Sequence, residues 1–419
     1  MKINIFEDSR WENFLPLTYT RAVFDLRCGI LKLRQKIAYY YPEYDYHLIV
    51  RKDLKELYRN RFPERHINQL TKNSNLFING SLLINGEIAR RINSLSDNTG
   101  LFFEQTCIAF KKNINADISI SSEDIHKLMK DISREQLNIK PINYIWELVD
   151  KNSDAITKDF QIITKSKTNY IDKNENIHLI NNEKIFIGKD VTIAPNVVLD
   201  ASAGPIFLDD NSIIMANAVI FGPAYIGKNS IIKVGAKIYH GVSVGKVCKL
   251  GGEVEETMFQ GYSNKQHDGF LGHSYVGEWV NLGADTNNSD LKNNYKKVKA
   301  YFYPERRYIN TGMQFFGMII GDYSKSGINT MFNTGCIVGI GCNLYSADLF
   351  SGFIPSFSWG TATNLKDYRI NKIFETIRLV KKRRGLKLEK FEEKILKKCF
   401  DNSTKMRNVF NRKRNGQIS

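Results

Sequence analysis

A six-residue repeat in the middle of the chain constrains its fold more than any other feature. Branched aliphatic residues recur at every sixth position in a series of eight, and the residue four positions after each is small or of modest size. A period of six fits neither an α-helix nor a simple hairpin meander, but it fits a parallel β-helix whose flat faces are each one hexapeptide wide. The aliphatic series is Leu208, Ile214, Ile220, Ile226, Ile232, Ile238, Val244 and Leu250, and the smaller series is Ser212, Ala218, Ala224, Ser230, Ala236, Val242, Cys248 and Val254.

The same pattern begins upstream of this stretch and resumes downstream of it. We expect the aliphatic residues to point inward and to stack from turn to turn, with Cys248, Cys336 and Cys342 as core filler. The six cysteines of the sequence form no CxxC pair, so we interpret them as reduced thiols. The further repeat positions are Ile187, Ile193 and Leu199 upstream, and Phe270, Val276, Leu282, Ile320, Phe332, Val338 and Leu344 downstream.

The positive charge of the chain is concentrated at its C-terminal end. The 419 residues carry a formal net charge of +16, and residues 361–419 hold 18 Lys and Arg against 6 Asp and Glu. The remaining sequence is nearly balanced and contains no nucleic-acid-binding motif, so we expect small phosphorylated partners and no nucleic acid. No apolar stretch is long enough to span a membrane and no signal-peptide pattern is present, so we expect a cytoplasmic protein without stable membrane insertion.

The first 160 residues lack the six-residue period. Ile3–Phe6, His47–Val50 and Leu76–Ile78 have the apolar character of short strands, whereas Gly29–Tyr41 and Ser122–Leu137 read as helical. Alternating strands and helices indicate an α/β sheet, in which ligands bind at the carboxyl ends of the strands. The sequence therefore predicts a Rossmann-like N-terminal domain.

The segment after the first strand contains Leu15-Pro-Leu-Thr18, followed by Thr20-Arg21 and by Leu26-Arg27-Cys-Gly29-Ile. It resembles the opening of sugar-phosphate nucleotidyltransferases. Together with Phe77-Ile-Asn-Gly80 it is similar to a divergent, Bacteroidetes-type branch of the bifunctional N-acetylglucosamine-1-phosphate uridylyltransferase/glucosamine-1-phosphate acetyltransferases, in which this block replaces the glycine-rich loop. The resemblance implies that the following residues bind the nucleotide or the sugar phosphate: Thr18, Arg21, Arg27, Lys32, Asn79 and Gly80.

Nucleotidyl transfer calls for Mg²⁺ to offset triphosphate charge. Ser81 stands where the family carries a metal-binding Asp, and we assign no metal ligands. Asp8 and Asp25 are carboxylates in this region to which the sequence gives no role.

The repeat is interrupted between Leu250 and Phe270, and polar residues concentrate there and just beyond. His267-Asp-Gly-Phe-Leu-Gly and Val280-Asn281-Leu-Gly-Ala284 resemble the acetyltransferase segment of the same bifunctional family. This implies that His267 is the catalytic base and that Asn281 orients the amine or stabilises the oxyanion. Lys233 matches the family's sugar-phosphate-binding Arg, and we add Lys265 as a second phosphate ligand. We leave His273, one hexapeptide further on, without a catalytic role.

We predict residues 1–160 as the nucleotidyltransferase-like domain, 161–183 as a linker, 184–350 as a left-handed β-helix of the acyltransferase type, and 351–419 as a basic helical tail. The resemblance implies a homotrimer that uses a nucleoside triphosphate, a sugar-1-phosphate and acetyl-CoA. The product would be a nucleotide sugar similar to UDP-N-acetylglucosamine, a cell-envelope precursor.

Two alternatives stay open. Either one activity is retained and the other site is vestigial, or the protein is a non-catalytic trimeric scaffold that binds nucleotide sugars. We interpret the Lys381–Arg384 run as a solvated face, and contact with a neighbouring coil or subunit near the phosphates of coenzyme A is the alternative.

Overall fold

The computed structural model describes residues 2–170 and 176–414, with side chains up to residue 412. The chain divides into two compact units. The N-terminal unit runs up to Leu26 and includes Leu31–Ile145 and Lys390–Ile395, and the solenoid unit comprises Arg27–Ile30, Trp146–Glu389 and the chain from Leu396 onward. The first unit thus ends before the predicted boundary at residue 160. Parts of the predicted linker (171–175) and tail (415–419) lie outside the described residues.

Among the described residues, the N-terminal unit contains a six-stranded mixed sheet. Its strands are, in spatial order, Tyr46–Ile49, Lys2–Phe6, Asn73–Asn79, Thr106–Ile114, Thr99–Phe103 and Ser133–Gln136. The first three strands pair in parallel, which confirms the three predicted strands and brings their carboxyl ends to one edge of the sheet. The α-helices of this unit are Leu33–Tyr40, Lys55–Arg61, Gly86–Asn93 and Ile125–Leu128, and a small strand pair joins Gln69–Leu70 to Ile118–Ser119.

The helix predicted over Ser122–Leu137 is wrong. A short helix ends at Leu128, and Ser133–Gln136 instead pairs in parallel with the edge strand Thr99–Phe103. The charged composition of this segment favours a helix in isolation, but pairing at a sheet edge overrides local propensity. The preceding Ile132 is buried in the same apolar core as Phe102 of the paired strand, and this burial favours the strand pairing.

The solenoid unit is a parallel β-helix whose short strands form three faces. The first face comprises Ile185–Ile187, Ile206–Leu208, Ala224–Ile226, Val242–Val244, Met258–Gly261, Tyr275–Glu278, Met318–Ile320, Cys336–Val338 and Phe353–Ile354. The second comprises Thr192–Ile193, Ile213–Ile214, Ile231–Ile232, Lys249–Leu250, Asn264–Lys265, Lys325–Ser326, Asn343–Leu344, Ser358–Gly360 and Leu365–Asp367. The third comprises Ile177–Ile180, Val197–Asp200, Val219–Phe221, Lys237–Ile238, Glu253–Glu255, Phe270–Gly272, Asn287–Asn288 and Met331–Phe332.

The six-residue period produces this core as predicted. Every member of the series from Leu208 to Leu250 is fully buried, and so is every residue of the smaller series. Cys248, Cys336 and Cys342 lie in the same core, which confirms them as filler. Burial raises the pKa of the Cys248 thiol to about 12, so this side chain stays protonated and unreactive.

Two details of the repeat differ from the prediction. Leu271, not Phe270, takes the inward position on the third face, because the corner after it is one residue shorter than the regular spacing and the next inward residue, Val276, follows after five positions. The solenoid also continues past residue 350, with Ile354 and Leu365 in its core and an antiparallel closing strand at Leu365–Asp367. A hairpin of Lys299–Phe302 and Arg307–Asn310 is inserted into one turn.

Helices flank the repeat in the chain. Ile145–Asp150 and Asn152–Ile163 precede it, and the predicted helical tail is confirmed as Ile370–Lys382 and Lys390–Arg414. Within the part of the chain that the structure describes, no helix combines the length and the apolar character needed to cross a membrane.

Candidate functional site

The carboxyl edge of the N-terminal sheet carries a compact polar cluster. Asp8 follows the first strand, and its carboxylate accepts hydrogen bonds from the Arg10 guanidinium at 2.6 and 2.9 Å. The buried Asn79 donates to the same Asp8 oxygen at 2.8 Å, and its own side-chain oxygen accepts from the backbone and hydroxyl of Ser81. Arg10 also lies 3.2 Å from the Ser81 hydroxyl. Asn79 therefore orients a partly exposed Asp8–Arg10 pair, a role that could not be predicted for these two residues from the sequence.

The loop after the first strand is held by a buried ion pair. Arg51 donates to both carboxylate oxygens of Glu7 at 3.0 Å, and its guanidinium lies 4.1 Å from the centre of the Trp11 ring. Arg51 also donates to the carbonyl of Thr18, whose hydroxyl donates to the carbonyl of Trp11 at 2.8 Å. This network fixes the short 3-10 turns Ser9–Phe14 and Leu17–Tyr19 without a glycine-rich loop.

The other predicted residues of this loop are held by protein groups. Arg21 is buried and donates to the carbonyl of Leu17 at 2.8 Å. Lys32 lies 3.9 Å from the buried carboxylate of Asp25, which Arg34 contacts at 2.6 Å, and these cations hold the pKa of that carboxyl well below its usual range. The backbone N–H of Gly80 donates to the carbonyl of Phe6 in the first strand, and a Cβ atom at Gly80 would come within 2.6–2.9 Å of the Phe24 side chain.

Arg27 has surroundings that differ from those of the other predicted residues of this loop. It belongs to the solenoid unit, where its backbone N–H donates to the Tyr275 hydroxyl at 2.8 Å and to the Gln260 side chain at 3.1 Å. Its guanidinium lies over the Tyr225 ring at 5.0 Å, and the residue is buried. These contacts account for the burial of Arg27, its Nε atom is buried without a hydrogen-bond partner, and its role as a phosphate ligand stays a prediction.

The N-terminal cluster does not fit a resident Mg²⁺ ion. Within residues 2–170 and 176–412, no group of three His, Cys, Asp or Glu side chains is placed to hold a metal. The Asp8 carboxylate is already neutralised by Arg10. Mg²⁺ keeps water and phosphate oxygens as ligands in many nucleotide sites, so the ion here would arrive with the triphosphate as part of the substrate.

The second face of the solenoid and the corners that follow it bring the predicted residues Lys233, Lys265 and His267 into one region. The registers align Ile232, Leu250 and Lys265 on successive turns, so Lys265 occupies an inward position that is aliphatic elsewhere. Lys265 is buried, and its ammonium donates to the carbonyls of Gly251 at 3.2 Å and His267 at 3.0 Å. Burial lowers the pKa of Lys265 to about 8, although nearby carboxylates oppose the shift. Lys265 thus fixes the corner that carries His267.

The corner of the solenoid next to the one that contains His267 is shorter than its neighbours. Residues 233–236 connect the second face to the third in one turn and residues 266–269 do so two turns later, whereas only residues 251–252 do so between them. The Gly251-Gly252 path is therefore two residues shorter than its neighbours on both sides. A side chain at Gly251 would approach the Gln266 carbonyl to 2.6 Å, and at Gly252 it would approach the Lys265 ammonium to 2.9 Å. The result is a notch with Lys233 on one side and exposed His267 on the other.

A cavity of about 270 Å³ lies on the same face, and we call it the cationic pocket. Asn264, Asn281 and Lys325 occupy one row of the solenoid wall, as their backbone bridges show, and the end of the helix Ile370–Lys382 faces this row. The Asn264 side-chain oxygen is buried without a hydrogen-bond partner, which is unusual for a buried polar atom. The residues that line the pocket are Lys249, Tyr262, Asn264, Gln266, Trp279, Val280, Asn281, Lys325, Val380, Arg383 and Arg384.

The pocket corrects the interpretation of the Lys381–Arg384 run. Lys381 is buried, with its ammonium 5.8 Å from the centre of the Trp279 ring, and Arg383 and Arg384 line the pocket. The run packs against a neighbouring coil of the solenoid, as in the alternative interpretation, and is not simply a solvated face.

A second histidine has a partner that the sequence did not reveal. The Nδ1 atom of His273 lies 2.8 Å from an Asp290 carboxylate oxygen, and its ring stacks on Phe315 with centroids 5.2 Å apart. A carboxylate at this distance orients an imidazole and fixes its tautomer. His273 and His267 flank opposite ends of the strand Phe270–Gly272, so they belong to different corners of the turn.

Sequence reasoning missed the Asp8–Arg10 pair, the Asp290 partner and the pocket cations Lys249 and Lys325. Asp8 had a signal, since a carboxylate directly after a first parallel strand lies at the ligand-binding edge. The remaining residues had none, because each depends on chain segments that meet only in the folded solenoid.

Comparison with known proteins gives a family match for the N-terminal part of the chain. Residues 3–168 match the family model described as sugar nucleotidyl transferase. A bifunctional sugar-1-phosphate nucleotidylyltransferase/acetyltransferase from Sulfurisphaera tokodaii is 31% identical over 93 residues, which is 22% of this chain and 23% of the relative. The chain therefore aligns with less than a quarter of that relative's length.

Solved structures resemble the solenoid in outline. A UDP-N-acetylglucosamine acyltransferase from Campylobacter jejuni is 14% identical, with a TM-score of 0.33, over 59% of this chain and 91% of its own. One from Francisella novicida is 16% identical, with a TM-score of 0.23, over 56% and 88%. At these values neither likeness bears on what this chain binds.

The predicted fold class, an α/β domain followed by a hexapeptide solenoid and C-terminal helices, is confirmed. The predicted enzyme class, a transferase, is confirmed at the level of the matched domain. The Bacteroidetes-type assignment stays a prediction. Residues 3–168 match the sugar nucleotidyl transferase family model, and a parallel β-helix follows this part of the chain.

Proposed function

We propose that the protein is a bifunctional transferase that builds an N-acetylated nucleotide sugar. The N-terminal unit would transfer a nucleotidyl group to a sugar-1-phosphate, and the solenoid would transfer an acetyl group from acetyl-CoA to an amino-sugar phosphate. The family match of residues 3–168 supports the first activity. The observation that carries the second is the shortened Gly251-Gly252 corner, which leaves a notch between Lys233 and His267.

In acyl transfer, the notch would supply a base and a cation. The amine of the acceptor loses a proton to the His267 imidazole, and its nitrogen attacks the thioester carbonyl carbon. The carbon–sulfur bond breaks, and the departing thiolate of coenzyme A takes up the proton. Lys233 would hold the acceptor's phosphate. Asn281, one turn from Asn264 in the same row, would bind the developing oxyanion.

In nucleotidyl transfer, the sheet edge would supply a rigid cation. A phosphate oxygen of the sugar-1-phosphate attacks the α-phosphorus of the triphosphate, and pyrophosphate leaves. Arg10, fixed by Asp8 through two hydrogen bonds, would grip phosphoryl oxygens with its remaining guanidinium N–H groups. Asn79 would act through Asp8, as a positioning residue.

The acyl-transfer proposal is tested with a thiol reagent that reports free coenzyme A, on a panel of amino-sugar-1-phosphates. His267→Ala should lower the rate by about 10²–10⁴-fold, the contribution typical of a general base. His273→Ala is the matched control, because it removes an imidazole from the same turn but from the other corner. Equal rates for wild type and His267→Ala would reject His267 as base, and loss confined to His273→Ala would transfer that role to the His273–Asp290 pair.

The alternatives make different predictions with the same protein. If only one activity is retained, either coenzyme A release or pyrophosphate release from nucleoside triphosphates is absent across the panel. A non-catalytic scaffold shows neither, although it still binds a nucleotide sugar in a thermal-shift screen. We propose a trimer, and exposed Val234 and Ile328 beside the corners of the second face supply apolar surface for it. Light scattering measures the oligomeric state directly.

A further inference from the structure

The walls of the cationic pocket carry an excess of positive charge. Among the described residues, Lys249 and Lys325 project from the solenoid, Arg383 and Arg384 come from the facing helix end, and no carboxylate lines the cavity. Cations in the last turn of a helix are often explained by the helix dipole. That explanation applies to the arginines only, because Lys249 and Lys325 lie on β-strands.

The ammonium group of Lys325 lies in a part of the pocket wall with little access to solvent. Burial alone lowers the pKa of Lys325 to about 8, and no carboxylate opposes the shift. A cation with this environment is stabilised by an anion that enters from solvent. Cations on two facing walls fit a ligand with two anionic groups better than a single phosphate.

The volume and the walls of the cationic pocket agree with a small anionic ligand. The cavity volume of about 270 Å³ leaves room for a small anionic group such as pyrophosphate. Trp279 lines the pocket between stacked Tyr262 and Tyr323, with near-parallel rings at 4.3 and 6.4 Å. The three stacked rings form one column beside the pocket and stabilise this part of its wall.

We propose that the cationic pocket is a binding site for a pyrophosphate group. Lys249 and Lys325 hold one phosphoryl group from the solenoid side, and Arg383 and Arg384 grip the other from the helix side. The inference requires neither nucleotidyl transfer nor acyl transfer. Coenzyme A and nucleoside polyphosphates both carry this chemistry, and the experiment separates them.

The experiment follows tryptophan fluorescence while inorganic pyrophosphate is added to the full-length protein in chelator-treated buffer. The wild type should show a saturable change that Trp279→Phe loses, because Trp279 lines the pocket. Arg384→Gln should weaken binding about tenfold, the effect of one charge-assisted hydrogen bond. The matched control Lys228→Gln removes an exposed solenoid lysine that does not line the pocket, and it should bind as wild type does.

The proposal is overturned if the wild type shows no saturable change, if the change persists in Trp279→Phe, or if Arg384→Gln binds as tightly as wild type. Competition then identifies the source of the group. Displacement by coenzyme A assigns the pocket to the acyl donor, and displacement by uridine triphosphate assigns it to the nucleotide. His267→Ala should still bind pyrophosphate, so failure of the proposed acyl transfer and failure of this site give different results.

Discussion

Replacing the buried Lys265 by Met should change how stability depends on pH. Lys265 takes an inward position between Leu250 and Leu282, and its pKa is lowered from 10.5 to about 8. That difference corresponds to about 3 kcal/mol of penalty for the charged form at neutral pH. Met fills a similar volume without charge, but it leaves the carbonyls of Gly251 and His267 without their donor, at about 1 kcal/mol each.

The sign of the pH effect follows from which state binds more protons. Between about pH 8 and 10.5 the unfolded wild type keeps the Lys265 proton that the folded state has released. Wild-type stability therefore rises with pH across this window, relative to the variant, by about 3 kcal/mol. Near pH 7 the two opposing contributions leave Lys265→Met about 1 kcal/mol more stable, and above pH 10.5 the order is reversed.

Urea unfolding of both proteins at several pH values measures this difference. Other titrating groups are common to the two proteins, so their contributions cancel in the subtraction. Leu250→Met is the matched control, since it places the same side chain in the neighbouring slot and removes no charge. If the wild-type and Lys265→Met curves run parallel from pH 7 to above pH 10.5, the ammonium is not buried as described and the reasoning fails.

Three further outcomes are expected. Asp8→Asn should slow pyrophosphate release by about 10- to 100-fold, because Arg10 loses charge-assisted hydrogen bonds of about 1.5–3 kcal/mol, while coenzyme A release stays at the wild-type rate. Pyrophosphate affinity of the cationic pocket should fall as pH rises through about 8, where Lys325 loses its proton, and a fluorescence titration at pH 7 and pH 9 measures the ratio. Ile232→Ala should cost about 2–5 kcal/mol of unfolding free energy in urea, since Ile232 is fully buried in the solenoid core.

The solenoid could be predicted from the sequence because its core is a local pattern. Each inward residue lies six positions from the next, so periodicity alone places Leu208 or Ile232 without knowledge of distant contacts. The prediction failed where the corner length changed, and Leu271 replaced Phe270 as the inward residue. Corner length is set by which turns stack, and the repeat does not encode that spacing.

The candidate sites were predictable only in part. His267 and Asn281 could be proposed from the sequence because they lie in recognisable motifs, and their roles stay predictions. The surroundings of Arg27 could not be predicted, because its partners Gln260 and Tyr275 lie far along the chain. The cationic pocket could not be predicted for the same reason. Arg384 contacts the solenoid wall only when the helix Ile370–Lys382 packs against it.

The central claim is that one chain carries two separate transfer sites. Mass spectrometry of the products formed from glucosamine-1-phosphate, acetyl-CoA and uridine triphosphate with Mg²⁺ tests it most directly. Wild type should yield a nucleotide sugar that carries both the acetyl and the nucleotidyl group. His267→Ala should yield products without the acetyl group, and Asp8→Asn should yield mainly acetylated sugar phosphate. A wild-type mixture that lacks either group, here and with other sugar phosphates and nucleotides, would contradict the claim of two transfer sites.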